Sequence, residues 1–285
     1  MSETLAEALK VGIKETQPVG GGDICRATRA TLDDGRTVFI KTRPGAPPDF
    51  FHTEAAGLQT LAAAKGAPTP EVLAVTDDAL VLEWVEPGAP NPRAAEAFGR
   101  ALATTHRAHP DHFGGDGDGY LGSLRLPNRA AKTWPELYRE QRVGPALQKA
   151  VERDAISPRD ALDVQQVLEN LETFAGPEEP PALLHGDLWA GNVHWSAQGP
   201  VYLIDPAVHG GHRETDLAML ALFGAPLLDR ILGAYDDAYP LSPGWDRRIP
   251  LHQLHPVVVH AALFGGGYGP RAGSLARKVL GDKST

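Results

Sequence analysis

The chain has 285 residues, with 36 acidic residues against 27 Lys and Arg, and a formal net charge of −9. This balance argues against nucleic acid or an anionic membrane as the main partner, because both attract clusters of Lys and Arg. The single cysteine, Cys25, excludes an intrachain disulfide and favours a cytoplasmic location, and no apolar run is long enough to cross a bilayer.

The first segments predict a short helix and then an antiparallel sheet. Apolar spacing indicates the helix at 5–9. Alternation of apolar and polar residues indicates three strands, at 13–19, 24–32 and 36–42. Between the last two of these strands, Asp33-Asp34-Gly35 is typical of a hairpin turn.

Three consecutive glycines, Gly20, Gly21 and Gly22, separate the first two strands. The backbone N–H groups of such a turn can approach phosphate oxygens and donate hydrogen bonds to them. The full GxGxxG pattern is absent, so a plain hairpin with a flexible tip explains these glycines equally well when they are taken alone.

Lys41 favours the phosphate-binding interpretation of this sheet. It ends the apolar run of the third strand, where a lysine is costly to bury without a partner. The next segment, 49–64, predicts a helix that carries Glu54 in its first turns. A carboxylate at that position can also simply face solvent near a helix N-terminus.

Two further strands, at 72–75 and 79–85, complete the predicted sheet. The second runs into Pro87-Gly88, and a strand that enters a Pro/Gly-rich linker is typical of a domain boundary. We therefore predict a small lobe at 1–86 and a larger lobe at 87–285.

The remainder of the chain has mainly helical periodicity. Seven segments show it: 93–108, 134–151, 158–174, 217–222, 226–239, 248–264 and 271–280. The stretch 114–119 is rich in Gly and Asp, but the EF-hand calcium pattern and its closing Glu are absent. We predict a mobile surface loop near the substrate there.

The stretch 183–194, with the sequence LLHGDLWAGNVH, supplies the residues with the clearest chemistry. Asp187 follows a turn at Gly186, Asn192 comes five residues later, and Asp205 ends the next apolar run. Oxygen ligands of this kind suit Mg²⁺. A single Asp or Asn in a loop is more often a turn former. The spacing HGDxxxxN before a strand that ends in Asp nevertheless favours the catalytic loop of a phosphotransferase.

The motif HGDLWxGN, followed by a strand and Asp205-Pro206-Ala207, resembles the fructosamine kinase (ketosamine 3-kinase) family. That family belongs to the aminoglycoside phosphotransferase and choline kinase group, which shares the protein-kinase-like fold. Trp189 and the Asp-Pro-Ala sequence are more particular to fructosamine kinases than the His-Gly-Asp motif. The resemblance implies an α+β, bilobal protein-kinase-like fold, with a small antiparallel-sheet lobe and a larger, mainly helical lobe. It also implies ATP and Mg²⁺ as cofactors.

The resemblance assigns the main chemical roles. Asp187 would orient or deprotonate the acceptor hydroxyl, while Asn192 and Asp205 would bind Mg²⁺. Lys41, held by Glu54, would contact the ATP phosphates together with the glycine turn.

Supporting roles follow from the same resemblance. Glu83, Trp84 and Val85 lie where backbone groups would meet the adenine. Asp216 lies where an Asp braces the catalytic loop by accepting hydrogen bonds from its backbone N–H groups. His185, at the start of that loop, would support it as well.

Two residues are the main candidates for the acceptor pocket, while His260 and Trp245 are weaker candidates for which core or surface positions are favoured. Trp189 lies between Asp187 and Asn192, and its aromatic face would suit the apolar side of a sugar, although a buried core position is the alternative. His212 is the second candidate. Its neighbours His209, Glu214 and Asp216 raise the question of a zinc site, but the spacing matches no common zinc signature.

By resemblance, the acceptor is the C3 hydroxyl of a ketosamine, either a small molecule or a protein-bound adduct, and phosphorylation there would lead to deglycation. One alternative is a kinase for another small alcohol, such as an aminoglycoside or choline. Another is a catalytically silent nucleotide-binding protein, although such proteins usually lose one of the residues that Lys41, Asp187 and Asp205 match. A protein kinase is disfavoured because HRD and DFG motifs are absent.

Two further expectations concern assembly and redox chemistry. We expect a monomer or a weak dimer. A redox-sensitive thiol at Cys25 is a hypothesis, since members of the family can carry a cysteine in the nucleotide loop. Here Asp23 directly follows the glycines and Cys25 is displaced from that position.

Overall fold

The computed structural model describes residues 3–20 and 24–281. Gly21 and Gly22, which we predicted as phosphate-binding glycines, lie outside the described residues. None of the described helices combines the length and the apolar character that crossing a bilayer requires.

The amino-terminal part is a five-stranded antiparallel sheet with the strand order β1-β2-β3-β5-β4. Its strands are β1 Ile13–Val19, β2 Arg26–Leu32, β3 Thr37–Thr42, β4 Val72–Val75 and β5 Ala79–Glu83. These positions confirm the five predicted strands, although β2 begins two residues later and β5 ends two residues earlier than the pattern indicated. The predicted boundary at residue 86 falls after β5 and stays a prediction.

One helix covers each face of this sheet. Helix α1, Glu3–Leu9, packs on the face that contains Val38 and Ile40. Helix α2, Phe50–Ala63, packs on the opposite face, which contains Phe39. Because side chains alternate along a strand, Lys41 points to the same face as Phe39, which is the face that α2 covers.

The carboxy-terminal part is mainly helical. Its helices are α3 Pro92–His106, α4 Trp134–Leu137, α5 Gly144–Glu152, α6 Pro158–Glu169, α7 Leu171–Phe174, α8 Glu214–Leu222, α9 Leu228–Ala238, α10 Trp245–Phe264 and α11 Tyr268–Leu280. Helix α10 packs on α5, α8 and α11, and α3 packs on α9.

Two predicted helices are interrupted. The segment 134–151 contains a π-helical turn, Tyr138–Val143, directly before Gly144-Pro145. Proline has no N–H to donate and its ring clashes with the carbonyl four residues earlier, so the turn before it widens. The segment 158–174 breaks at Asn170, whose φ of −114° lies outside the helical range.

Short antiparallel strand pairs position the loops between these helices. Strand β8, Ala182–Leu184, pairs with β11, His209–Gly211, and β9, Val193–Trp195, pairs with β10, Val201–Leu203. The loop that contains Asp187 therefore runs from β8 to β9, and Asp205 follows β10.

The sequence did not predict the hairpin of β6, Gly119–Leu121, and β7, Leu124–Leu126. The segment 114–119, which we predicted as a mobile loop, leads into it and is fixed by backbone hydrogen bonds from Gly114 to Gly210 and from Gly115 to Asn128. Three-residue strands give too short an alternation to be recognised from sequence.

Candidate active site

A cleft of about 1340 Å³ lies between the sheet with α2 and the helical part. Most of the predicted site residues line it: Gly20, Lys41, Glu54, Glu83, Trp84, Val85, Asp187, Trp189, Asn192 and Asp205. Residues that lie 185 positions apart in the chain thus share one cavity. His185, Asp216 and His212 are not among the lining residues.

Lys41 joins the two halves of the cleft. Its Nζ lies 2.8 Å from both carboxylate oxygens of Glu54 and 2.9 Å from Oδ1 of Asp205. Burial alone would lower the pKa of Lys41, but the two carboxylates outweigh it and raise the pKa above its usual value. The ammonium group therefore stays charged, and Glu54 fixes it next to Asp205.

The loop from β8 to β9, which we predicted to be the catalytic loop, presents Asp187 and Asn192 together. Asn192 is buried, and its Nδ2 donates to the backbone oxygen of Asp187 at 2.8 Å and to Oδ2 of Asp187 at 3.1 Å. Burial and the nearby charge of Asp205 raise the pKa of Asp187 to about 7, while the hydrogen bond from Asn192 opposes this shift. A carboxylate with such a pKa is suited to exchange a proton near neutral pH.

Two side-chain oxygen atoms near Asp187 accept no hydrogen bond within the described residues, and they fit a hard divalent cation. The amide nitrogen of Asn192 donates to Asp187, so Oδ1 of Asn192 remains available as a ligand. Only Oδ1 of Asp205 is hydrogen-bonded within the described residues, and this leaves its Oδ2. Asp205 also adopts a left-handed backbone conformation, with a φ of 54°, which is unusual for a non-glycine residue and typical of functional sites. An amide and a carboxylate oxygen are ligands that Mg²⁺ accepts.

Asp216 stabilises the catalytic loop through hydrogen bonds to its backbone. This fully buried carboxylate accepts hydrogen bonds from the backbone N–H of His185 at 2.7 Å and of Gly186 at 3.0 Å. Nε2 of His106 adds a third contact at 3.2 Å. Burial acts to raise the pKa of Asp216, but these partners outweigh it and hold the pKa below its usual value. His106 also contacts the hydroxyl of Tyr235 and so bridges Asp216 and Tyr235.

His185 connects the catalytic loop to the strand before Asp205. Its Nε2 donates to the backbone oxygen of Ile204 at 2.8 Å, and its Nδ1 accepts from the backbone N–H of Asp187 at 3.2 Å. These two bonds require a neutral ring, and burial lowers the pKa of His185 in agreement with that state. The ring thereby couples the positions of Asp187 and Asp205.

Gly186 lets the catalytic loop approach the segment after Asp205. Its φ is +83°, and a Cβ atom there would lie 2.1 Å from the backbone oxygen of Ala207. Only glycine fits this combination of conformation and contact.

Trp189 lies on the open side of the cleft. Its side chain is 40% exposed, and its ring meets the ring of Phe223 edge to face at 6.1 Å. His260 and Phe264 extend the aromatic surface along the same side. Of these residues the sequence indicated only Trp189 and, weakly, His260, because single aromatic residues near helix ends do not reveal a shared surface.

Trp84 also lines the cleft. Its ring packs under the guanidinium of Arg29, 5.1 Å from the ring centroid, and its Nε1 donates to Glu86 at 2.8 Å. Nε2 of His194 donates to the backbone oxygen of Val85 at 3.0 Å. This bond ties the segment after β5 to β9 in the helical part.

Cys25 is half-buried and also lines the cleft. Burial raises the pKa of its thiol, and the charge of Lys41 only partly opposes this. A raised thiol pKa lowers the fraction of reactive thiolate. The redox hypothesis for Cys25 stays a prediction that this environment does not favour.

His212 does not belong to the acceptor pocket, and that interpretation was wrong. Its side chain is only 5% exposed, and its ring packs against Trp134 at 5.2 Å and His252 at 4.9 Å. The carboxylate of Glu214 lies close to His212 and His252, in an arrangement that could hold a metal ion. However, both of its oxygens bind Arg248, at 2.6 and 2.9 Å. We interpret this group as a buried ion pair that joins α8 to α10.

Replacing Glu214 by Gln is expected to lower the free energy of unfolding by about 3 kcal/mol at pH 7, because it leaves the largely buried Arg248 without its counter-charge. The matched change Glu172→Gln, in the exposed pair with Arg139, should cost about 1 kcal/mol or less. Urea unfolding measures both values, and equal effects would contradict the buried-pair interpretation.

The same variant should reveal a dependence on pH. Arg248 and His252 outweigh burial and lower the pKa of Glu214 from 4.5 to about 2. A carboxylate whose pKa is lower in the folded state stabilises the fold fully when the pH is above its pKa in the unfolded state. This contribution is lost as the pH falls to its pKa in the folded state. The difference in unfolding free energy between the wild type and Glu214→Gln should therefore shrink by about 3 kcal/mol between pH 5 and pH 2.

Comparison with known proteins decides the family. The family model for fructosamine kinase matches residues 1–282. The chain belongs to the fructosamine kinase family. It is 34% identical to a candidate ketoamine kinase of Enterococcus faecium, with 96% of this chain and 98% of that protein covered. A candidate ketoamine kinase of Thermus thermophilus is 37% identical, with 92% of each chain covered.

Solved structures of family members superpose on this kinase. A candidate fructosamine-3-kinase from Thermobifida fusca is 45% identical, covers 97% of both chains and gives a TM-score of 0.93. A candidate fructosamine-3-kinase from Haemophilus somnus is 25% identical, with 98% of this chain and 96% of that chain covered, and gives a TM-score of 0.86. An aminoglycoside phosphotransferase in complex with ADP and hygromycin B, 16% identical with a TM-score of 0.64, shares the fold.

These comparisons confirm the predicted family, the kinase-like fold class and the class of enzyme. The fructosamine kinase described here is an ATP-dependent phosphotransferase that acts on a hydroxyl group.

Proposed function

We propose that this kinase phosphorylates the C3 hydroxyl of a ketosamine and uses Mg²⁺ with ATP. The junction of Lys41, Glu54 and Asp205 beside the Asp187–Asn192 pair carries the proposal for the chemistry. Support for the acceptor comes from the relatives, whose names describe candidate ketoamine kinases and fructosamine-3-kinases.

Each side chain in the junction has a task that follows from its contacts. Glu54 fixes the Lys41 ammonium, which would bind the phosphate oxygens of the nucleotide. Asn192 and Asp205 would hold Mg²⁺, which when bound neutralises negative charge on those phosphates. Asp187 would orient the acceptor hydroxyl and accept its proton. Catalysis would come mainly from positioning and charge neutralisation.

The aromatic surface of Trp189, Phe223 and Phe264 favours an acceptor with an apolar side. Sugars present apolar ring faces, and the protonated amine of a ketosamine can also interact with aromatic faces. Phe264 is 62% exposed, which leaves room for an acceptor that extends out of the cleft, including an adduct on a protein side chain. We further propose that the enzyme acts in the cytoplasm as a monomer or weak dimer.

Release of ADP from Mg-ATP, measured across ribulosamine, fructosamine, aminoglycoside and choline acceptors, tests this function. We expect turnover on at least one ketosamine and a product phosphorylated at C3, identified by NMR. Turnover only on an aminoglycoside or choline would keep the chemistry and overturn the acceptor. Absence of turnover on every acceptor, with Mg-ATP still bound, would contradict the proposal.

A further inference from the structure

The β6–β7 hairpin connects the helical part to the start of α2. Leu121 and Leu126 of the hairpin are buried, and Leu121 belongs to the core of the helical part. Asn128, two residues after β7, donates from Nδ2 to the backbone oxygen of Val208 at 3.4 Å and accepts at Oδ1 from Arg142 at 2.8 Å. The hairpin is thus attached to the segment that directly follows Asp205.

The hairpin also contacts the start of α2 and the nucleotide loop. The hydroxyl of Tyr120 donates to Oδ1 of Asp49 at 2.5 Å, and its ring packs edge to face on Phe50 with the centroids 5.1 Å apart. A guanidinium nitrogen of Arg125 lies 3.8 Å from Oδ2 of Asp49. Gly122, at the tip, lies against Ile24, the first described residue after the glycines.

Asp49 departs from the usual behaviour of a residue in its position. It occupies the N-cap of α2, where an Asp side chain normally accepts a hydrogen bond from the first turn of its own helix. The carboxylate of Asp49 makes no such bond and instead binds Tyr120. The backbone of Asp49 is helical, with φ −87° and ψ −4°, and not in the extended conformation from which an N-cap side chain bonds to its own helix, so the carboxylate is available to the hairpin.

The position of α2 decides the position of Glu54. Glu54 follows Phe50 by one helical turn, so both residues lie on the same face of α2. Apolar contacts through Phe51 and Leu58 hold α2 against the sheet, but such contacts are not directional. The Tyr120–Asp49 hydrogen bond adds a directional contact at the end of α2 nearest to Glu54.

We propose that Tyr120 is a positioning residue for the nucleotide site. It fixes α2 to the hairpin, and the hairpin is attached beside Asp205, so Glu54 holds Lys41 next to Asp205 before a nucleotide binds. This inference rests on the nucleotide site proposed above. The short β6–β7 hairpin thereby holds α2, the helix that carries Glu54, the partner of Lys41.

The test is the affinity for Mg-ADP by calorimetry, which needs no acceptor and therefore stays valid if the ketosamine proposal fails. We expect Tyr120→Phe to weaken Mg-ADP binding about two- to tenfold, the range of one hydrogen bond. The matched control is Tyr202→Phe, because Tyr202 is half-exposed, lies outside the cleft, and its hydroxyl has no hydrogen-bond partner among the described residues. The melting temperature of each variant is measured alongside.

A double-mutant cycle with Glu54→Gln separates positioning from simple packing. If Tyr120 acts through Glu54, Tyr120→Phe should cause little further loss of affinity in the Glu54→Gln background. Asp49→Ala should reproduce the Tyr120→Phe effect in the wild-type background. Equal losses in both backgrounds would overturn the proposal. Unchanged affinity of Tyr120→Phe for Mg-ADP, with or without a lowered melting temperature, would also overturn it.

Discussion

Replacing Asp187 by Asn should reduce kcat by about a thousandfold or more while leaving the affinity for Mg-ATP within about twofold of the wild type. The carboxylate contacts Asn192 and faces the open cleft, whereas Lys41 is held by Glu54 and Asp205. The substitution keeps the size and the hydrogen bond from Asn192 to the backbone of Asp187, and it removes only the ability to accept a proton. Single-turnover ADP formation and calorimetry with Mg-ATP measure the two quantities separately.

A suitable control for this charge removal is Asp237→Asn, because Asp237 is exposed on α9 and outside the cleft. Its kcat should equal that of the wild type. Retention of more than a tenth of wild-type kcat in Asp187→Asn would show that this residue is not the proton acceptor. A parallel loss of nucleotide affinity would indicate instead that the substitution disturbs the whole catalytic loop.

The sequence predicted those parts of the site that depend on local spacing. Asp187 and Asn192 share one loop, and the strand that ends before Asp205 is visible as an apolar run. Lys41 and Glu54 lie on consecutive elements, and alternation along β3 already directs Lys41 toward the side that α2 covers. For these residues the geometry follows from chain connectivity and the pattern of burial.

Residues that meet through tertiary packing could not be predicted in this way. His106 and Asp216 lie 110 positions apart, and a histidine at a helix end carries no signal that its ring reaches a buried carboxylate. His212 looked functional because polar residues surround it in sequence, yet its neighbours in space are Trp134 and His252. Sequence proximity to Asp205 suggested a pocket position that the packing of α8 on α10 does not allow.

The β6–β7 hairpin shows the same limit at the level of an element. Its strands have three residues each, and Gly- and Asp-rich residues precede it, so composition favours an irregular loop. Its conformation depends on its surroundings: Asn128 is tied to Val208 on one side, and Tyr120 binds Asp49 on the other. Neither partner is close to the hairpin in sequence.

Replacing Asp205 by Asn should reduce both kcat and nucleotide affinity, in contrast to Asp187→Asn. Asp205 interacts with Lys41 and also offers the free carboxylate oxygen that would hold Mg²⁺, so its charge serves two partners. Loss of a charge-assisted contact costs about 1.5–3 kcal/mol, which corresponds to a weakening of Mg-ATP binding by about ten- to a hundredfold. Binding of ATP measured with EDTA should change much less, because Lys41 keeps both bonds to Glu54.

Calorimetry with ATP over a series of Mg²⁺ concentrations distinguishes these contributions. In the wild type, ATP affinity should rise with Mg²⁺, and in Asp205→Asn this rise should be largely lost. Asp187→Asn should keep the rise, and Asp237→Asn should behave as the wild type. If Asp205→Asn kept the full dependence on Mg²⁺, the metal would have to be held by other residues, and the carboxylate of Asp187, which lies beside Asn192, would be the first alternative to examine.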